Sequence, residues 1–254
     1  MSAYDIVLKS REKGRPTAAK YIKNIVEDFL ELHGDRRYAD DRAIIGGIGY
    51  VAGRPVTVLG IEKGEDTNDK IAHNFGCAHP EGYRKAVRLM KEAEKFHRPV
   101  LCFVDTSGAY CGIGAEERGQ SEAIANSILE MIRLKTPTLS VIIGEGGSGG
   151  ALGLCAADEV WITETSTYSV ISPEGCASIL WKDSGKVAEA AERLHLTAQE
   201  LLKLGAVERV IEEKGFSTEF YEGLKADIAA FFAKKRTESG DDLIAARYAR
   251  FRKF

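Results

Sequence analysis

The sequence has no Cys-x-x-Cys pair; its five cysteines, Cys77, Cys102, Cys111, Cys155 and Cys176, stand far apart. That spacing excludes a zinc ribbon and argues against a disulfide framework, so no metal is expected on this chain. Long apolar runs are also missing: the longest are strand-sized, and Met1-Ser2-Ala3-Tyr4-Asp5 leads into charged residues rather than a signal-peptide core. No membrane association is expected, and the cytoplasm is the expected location. Nor is there an excess of one charge. With 35 basic and 38 acidic residues the net charge is -3, so no nucleic-acid partner is expected.

What remains is an ordinary globular composition, 44% hydrophobic over 254 residues, enough to bury one substantial core. A single domain over 1–254 is therefore expected. Within residues 1–35, "PTAAKYIKNIVEDFLELHG" places Ile22, Ile25, Val26, Phe29, Leu30 and Leu32 on one amphipathic helical stripe, with Pro16 and Thr17 near its start and Gly34 beyond its end. "AIIGGIGYVAGRPVTVLGI" predicts two strands around a hairpin turn at Ala52-Gly53-Arg54. A long polar, glycine-containing loop follows. From "PEGYRKAVRLMKEAEKFH" onward, helices of 15 or so residues alternate with the apolar strands "RPVLCFVD" and "TPTLSVIIG", the pattern of a parallel sheet covered by helices. Shorter strands at "EVWIT", "YSVIS" and "VERVI" and intervening helices follow, with carboxy-terminal helices in 216–254.

Two loops leave the carboxyl ends of the apolar strands, where ligands bind in α/β sheets. One is "DTSGAYCGIGAEERGQ" after Val104; the other is "GEGGSGGALG" after Ile143. Both are denser in glycine than turning requires, which points to close backbone approach to a ligand. The second contains Gly-x-Ser-x-Gly as Gly146, Ser148 and Gly150, the strand–turn–helix context of a nucleophile elbow. A hydrolase would also need a histidine, and only His195 lies downstream. The alternative uses the backbone: consecutive glycines at a helix start leave N–H groups unhindered and biased by the helix dipole, which suits an oxyanion. On that reading Gly149 and Gly150 supply the donors, Gly146 and Gly147 form the turn, and Ser148 is a small spacer.

"PEGYRKAVRLMKEAEKF", "GAEERGQSEAIA", "IGEGGSGGALG" and "YSVISPEGCASILWKD" resemble the alpha subunits of the bacterial acetyl-coenzyme A carboxylase carboxyltransferase. The likeness runs from about Glu31 through Arg209. It implies a crotonase-like (Clp-protease/crotonase) α/β fold of repeated ββα units and an enzyme that moves the carboxyl group of carboxybiotin to acetyl-CoA. Malonyl-CoA, the first committed intermediate of fatty acid synthesis, would be the product. The resemblance further implies a beta subunit in an α2β2 heterotetramer, with zinc on the beta chain. It also implies biotin carried on the biotin carboxyl carrier protein, and biotin carboxylase as a further component.

Carried over by position, the oxyanion hole is the N–H pair of Gly149 and Gly150, with Gly146, Gly147, Ser148, Gly108, Ala109, Gly112 and Gly114 lining the biotin or substrate side. Ser107 and Cys111 replace two prolines of the family's first loop, and Glu65 and Asp66 stand where a basic residue is common. The competing reading is a crotonase-like or Clp-like serine hydrolase using Ser148. Arg84 and Lys85 are expected as helix-surface charges, with a diphosphate contact as the alternative. "RYARFRKF" is expected to be a docking helix.

Overall fold

The computed structural model describes residues 1–254. In chain order the elements are helices α1 (Ala3–Ser10) and α2 (Ala18–Ile25), strands β1 (Glu27–Glu31), β2 (Ile44–Val51) and β3 (Arg54–Ile61), helices α3 (Thr67–Ala72) and α4 (Pro80–Lys95), and strand β4 (Val100–Thr106). Then come α5 (Ile113–Glu117), α6 (Gln120–Arg133), β5 (Thr138–Gly147), α7 (Ser148–Cys155), β6 (Glu159–Thr163) and β7 (Thr167–Ser169). The chain ends with α8 (Pro173–Leu180), α9 (Val187–Arg193), α10 (Ala198–Leu204), β8 (Arg209–Ile211), α11 (Thr218–Lys235) and α12 (Gly240–Phe251).

The strands form one sheet in the order β1-β2-β3-β4-β5-β6-β8, with β7 alongside the end of β5. β1, β2 and β3 pair antiparallel; every pair from β3 to β8 is parallel. Alternation along the central strands feeds two cores. In β4, Val100, Cys102 and Val104 face the core built with α4, α6 and α7, whereas Leu101 and Phe103 face the one built with α2 and α11. Both faces of the parallel strands are thus covered, which is why they read as continuous apolar runs. No helix is long and apolar enough to cross a membrane.

The amphipathic stripe expected in residues 1–35 is corrected. Its helix stops at Ile25, Val26 turns extended, and Asp28 takes a φ of +48° that bulges the strand β1 along the edge of β2. The signal lay in the partner: a Cβ on Gly47 would meet the Phe29 ring at 2.8 Å and one on Gly49 would meet the Glu27 carbonyl at 2.9 Å. With glycine at 47 and 49, β2 therefore accepts an edge strand at close range, and tertiary pairing overrides the helical period. Helix α1 was not expected; Ser2 and Asp5 form a reciprocal capping box at its start. The hairpin turn is the two-residue Ala52-Gly53, with φ of +49° and +69°, the primed geometry that matches strand twist.

Candidate functional site

The loops after β4 and β5 lie against each other, backbone to backbone. A Cβ on Gly150 would meet the Ala109 nitrogen at 2.6 Å and the Gly108 carbonyl carbon at 2.7 Å, and one on Gly147 would overlap the Ser107 carbonyl. Glycine is therefore required at 147 and 150 by approach, not by turning. Gly146 is confined in the same way by Tyr168 and the Thr167 carbonyl, at 2.9 and 3.1 Å, because β7 pairs alongside it.

The expectation that Gly146 and Gly147 form the turn is corrected. Both belong to β5, and the left-handed residue is Ser148 itself, with a φ of +52°. A non-glycine residue in that region is strained by about 1–2 kcal/mol. Ser148, the first residue of α7, thus turns the chain out of β5. Beyond it, Gly149 is half-buried and open, its nearest would-be neighbour being Ile124 Cγ2 at 3.6 Å, while Gly150 is buried. No side chain caps α7, so its first-turn N–H groups, which have no acceptor within the helix, remain available to a ligand.

Of the residues singled out in the sequence, Gly108, Ala109, Gly146, Gly147, Ser148, Gly149 and Gly150 are brought together. Gly112 and Gly114 are not seated against them: their closest would-be neighbours are Tyr110 and Arg118 of their own segment, around α5. Ser107 is exposed beside Cys77, with Oγ 3.6 Å from Sγ, and Cys111 is exposed. Glu65 and Asp66 sit at the start of α3, where Asp66 accepts from the Asp69 N–H. Arg84 is committed to Asp35 at 2.7 Å, and Lys85 is fully buried on Asp40 and the Asp41 carbonyl. Lys85 is therefore a core cation, and the surface charge expected for it is corrected; neither side chain is free for a diphosphate.

Gly149 opens on a mostly apolar cleft of about 310 Å³ formed with Leu152, Tyr168, Val170 and Leu201. Helix α7 is held from behind by hydroxyls. Tyr83 Oη donates to the Gly150 carbonyl at 3.2 Å, Ser127 Oγ to that of Gly153 at 2.6 Å and Ser140 Oγ to that of Leu154 at 2.5 Å. Burial pushes the Tyr83 phenol well above its usual range, so the donor stays protonated.

A charged cluster beneath the second loop escaped sequence reading. Lys63 Nζ lies 3.2 Å from Asp105 Oδ1 and 2.5 Å from Glu145 Oε2; Arg11 Nε reaches Glu145 Oε1 at 2.7 Å, and its Nη1 reaches Glu174 at 2.6 Å. Asp105 Oδ1 also accepts from the Glu145 N–H at 2.9 Å. Burial alone would push Lys63 down, but Asp105 and Glu145 outweigh it and hold the ammonium above its usual value. Burial would likewise raise Glu145, yet Lys63 and Arg11 leave it below the usual carboxylate range. The signal was present as Glu145 within a glycine run and Asp105 at the end of an apolar strand.

Ser148 has no histidine partner. His195 Nδ1 contacts Glu200 at 2.8 Å on a largely exposed ring, and His79 stacks on Tyr110. The arrangement therefore contains an uncapped helix start beside an apolar cleft but no nucleophile–base pair.

The family model for acetyl co-enzyme A carboxylase carboxyltransferase-like proteins matches residues 1–254. Among similar proteins, an acetyl-coenzyme A carboxylase carboxyl transferase subunit alpha of Ruminiclostridium cellulolyticum is 58% identical over 254 residues, covering 100% of this chain and 98% of its own. The corresponding protein of Streptococcus equi subsp. zooepidemicus is 53% identical over 250 residues, covering 98% of each. Among solved structures, transcarboxylase 12S superposes with a TM-score of 0.75 at 20% identity, over 93% of this chain and 44% of that one. A Pseudomonas malonate decarboxylase hetero-tetramer in complex with coenzyme A superposes with a TM-score of 0.70 at 17% identity, over 85% and 91%. These likenesses give the fold, the crotonase-like α/β architecture expected from the motifs.

Proposed function

Because the chain belongs to the family of acetyl-coenzyme A carboxylase carboxyltransferase alpha subunits, we infer that it is the alpha chain of a biotin-dependent carboxyltransferase. That enzyme works with a beta chain and converts acetyl-CoA to malonyl-CoA. We further assign the N–H groups of Gly149 and Gly150 as its oxyanion hole for the biotin ureido oxygen. Biotin carried on a carrier protein, a biotin carboxylase to load it and an α2β2 assembly complete the proposal.

The observation that carries the site assignment is the uncapped start of α7, where Gly149 lines an apolar cleft and Gly150, next in the same turn, is packed against the β4 loop. Leu152, Tyr168 and Val170 fit the apolar side of a bicyclic ring, and the glycines leave room for its polar edge. When bound in carboxylated form, biotin supplies the activated carboxyl group and, once that group is given up, a ring nitrogen able to accept a proton. The chain's own task is then electrostatic: fixed N–H donors stabilise charge that develops on oxygen, and no protein acid or base need act. The lack of a histidine on Ser148 fits that division.

Decarboxylation of malonyl-CoA with free biotin, measured on the chain purified with its beta partner, tests the assignment. Ser148→Ala is expected to retain turnover within about threefold, since the backbone and not the hydroxyl acts. Abolished turnover in an assembled, folded Ser148→Ala enzyme would instead support the serine reading. Tyr83→Phe, which keeps the ring and removes the hydrogen bond to Gly150, is expected to lower kcat roughly 3–10-fold, the usual net worth of such a bond. KM for malonyl-CoA should stay within twofold. A rise in KM at constant kcat would show that Tyr83 does not position the hole.

A further inference from the structure

We propose that the groove between α4 and α6 is a binding site for an organic polyphosphate, separate from the glycine-lined site. The groove, about 710 Å³, is within the size range of small-molecule sites. Its walls repeat at helical spacing: Arg84, Arg88, Lys91 and Lys95 follow one face of α4, and Asn126, Leu129 and Arg133 one face of α6.

The charge is unbalanced locally. Three carboxylates line the groove, and each is already committed: Asp35 to Arg84 at 2.7 Å, Glu92 to Arg88 at 2.9 Å and Glu130 to Lys91 at 3.4 Å. Arg36, Arg37, Lys95 and Arg133 line the same groove with no carboxylate partner, and all four are exposed. The chain as a whole carries -3, so this concentration of positive charge runs against its overall balance. Arg36 keeps one guanidinium nitrogen on the His33 carbonyl and Lys95 lies over the Phe96 ring, yet four cations lining one concavity raise the local concentration of a multiply charged anion. Three of them are guanidinium forks, which match phosphate oxygens bidentately.

The remaining lining residues supply the rest of the specificity. Val87 and the half-exposed Leu129 offer apolar surface among the cations, and Asn126 adds an amide. Phosphates at the rim and a ring over Val87 and Leu129 describe a nucleotide-type ligand better than a bare inorganic anion. The groove shares no residue with the loops at 105–114 and 144–150. Helix α6 nevertheless touches both places, because Ile124 is the neighbour nearest to where a Gly149 side chain would stand.

Calorimetric titration of the assembled enzyme with sodium tripolyphosphate and with ATP, at about 0.1 M salt where unpaired surface charges are felt only within about 10 Å, tests this. One saturable site per alpha chain is expected for both, with ATP the tighter. Arg36→Glu combined with Arg133→Glu should weaken both at least tenfold, Leu129→Asp should weaken ATP more than tripolyphosphate, and Lys203→Glu, at an exposed position away from the groove, should change neither. Carboxyl transfer without added phosphate should stay within twofold in all of them; if the double variant fails to fold, Arg133→Gln alone provides the same comparison. No saturable binding, or binding that the groove variants leave unchanged, overturns the proposal. So does binding of hexaglutamate in place of both phosphates, which would give the groove to an acidic protein.

Discussion

Gly150→Ala is expected to lower malonyl-CoA decarboxylation by the assembled enzyme by about 10²–10³-fold, the loss associated with one oxyanion donor. The reason is steric before it is electronic. The new methyl would stand 2.6 Å from the Ala109 nitrogen and 2.7 Å from the Gly108 carbonyl carbon, and both are backbone atoms that cannot rotate away as a side-chain end could. Either the β4 loop is pushed off or α7 turns, and each changes where the N–H groups of its first turn point. Gly149→Ala provides the contrast, because its methyl has 3.6 Å to Ile124 and projects where the fold has room. Its unfolding temperature should stay within a few degrees of the parent while its activity falls through the crowded cleft. A Gly150→Ala enzyme that assembles and turns over within threefold of the parent would remove Gly150 from the hole.

That contrast also marks where the sequence was legible. The parallel strands, their covering helices and the two loops at the carboxyl end could be read because burial on both faces leaves unbroken apolar runs such as "VLCFV" and "LSVII". The density of glycine in the loops announced close approach, but not what approaches. The answer lies 40 residues away, in the facing backbone at Ser107, Gly108 and Ala109, with Asp105 under Gly144. Long-range partners of this kind leave no local period. Ser148 was misread for a related reason. Glycine would have been the expected left-handed residue, yet the chain puts its glycines where space is tightest and leaves the strained φ to the serine between them. The edge strand β1 was hidden in a helical stripe because Phe29 packs on Gly47 of β2 and Leu30 stays exposed, so neither serves a helix face.

The ion cluster beneath the second loop gives the other large effect. Lys63→Met is expected to destabilise the chain by about 3–5 kcal/mol, since it leaves the buried carboxylates of Asp105 and Glu145 without their common ammonium. For a chain of this size that corresponds to a fall of roughly 10 °C in the unfolding midpoint. The sign of its pH dependence separates this cause from a simple packing loss. In the parent, Glu145 is held below its usual value, so its contribution is present above the unfolded pKa and is lost as pH falls through the depressed one. Lys63 is raised, so its contribution is complete below its unfolded pKa and is lost only as pH climbs through the higher folded value. Between these limits, at neutral pH, both contributions are in place. Without Lys63, only Arg11, 2.7 Å away, still opposes the effect of burial on Glu145, which moves toward its neutral form. The deficit of Lys63→Met relative to the parent should therefore be largest near pH 7–8 and shrink on acidification toward pH 5, as the carboxylate left with Arg11 alone takes up a proton more readily. Chemical denaturation at several pH values measures it. A deficit that is the same at both ends would mean that Lys63 fills space beneath the loop and does not neutralise it.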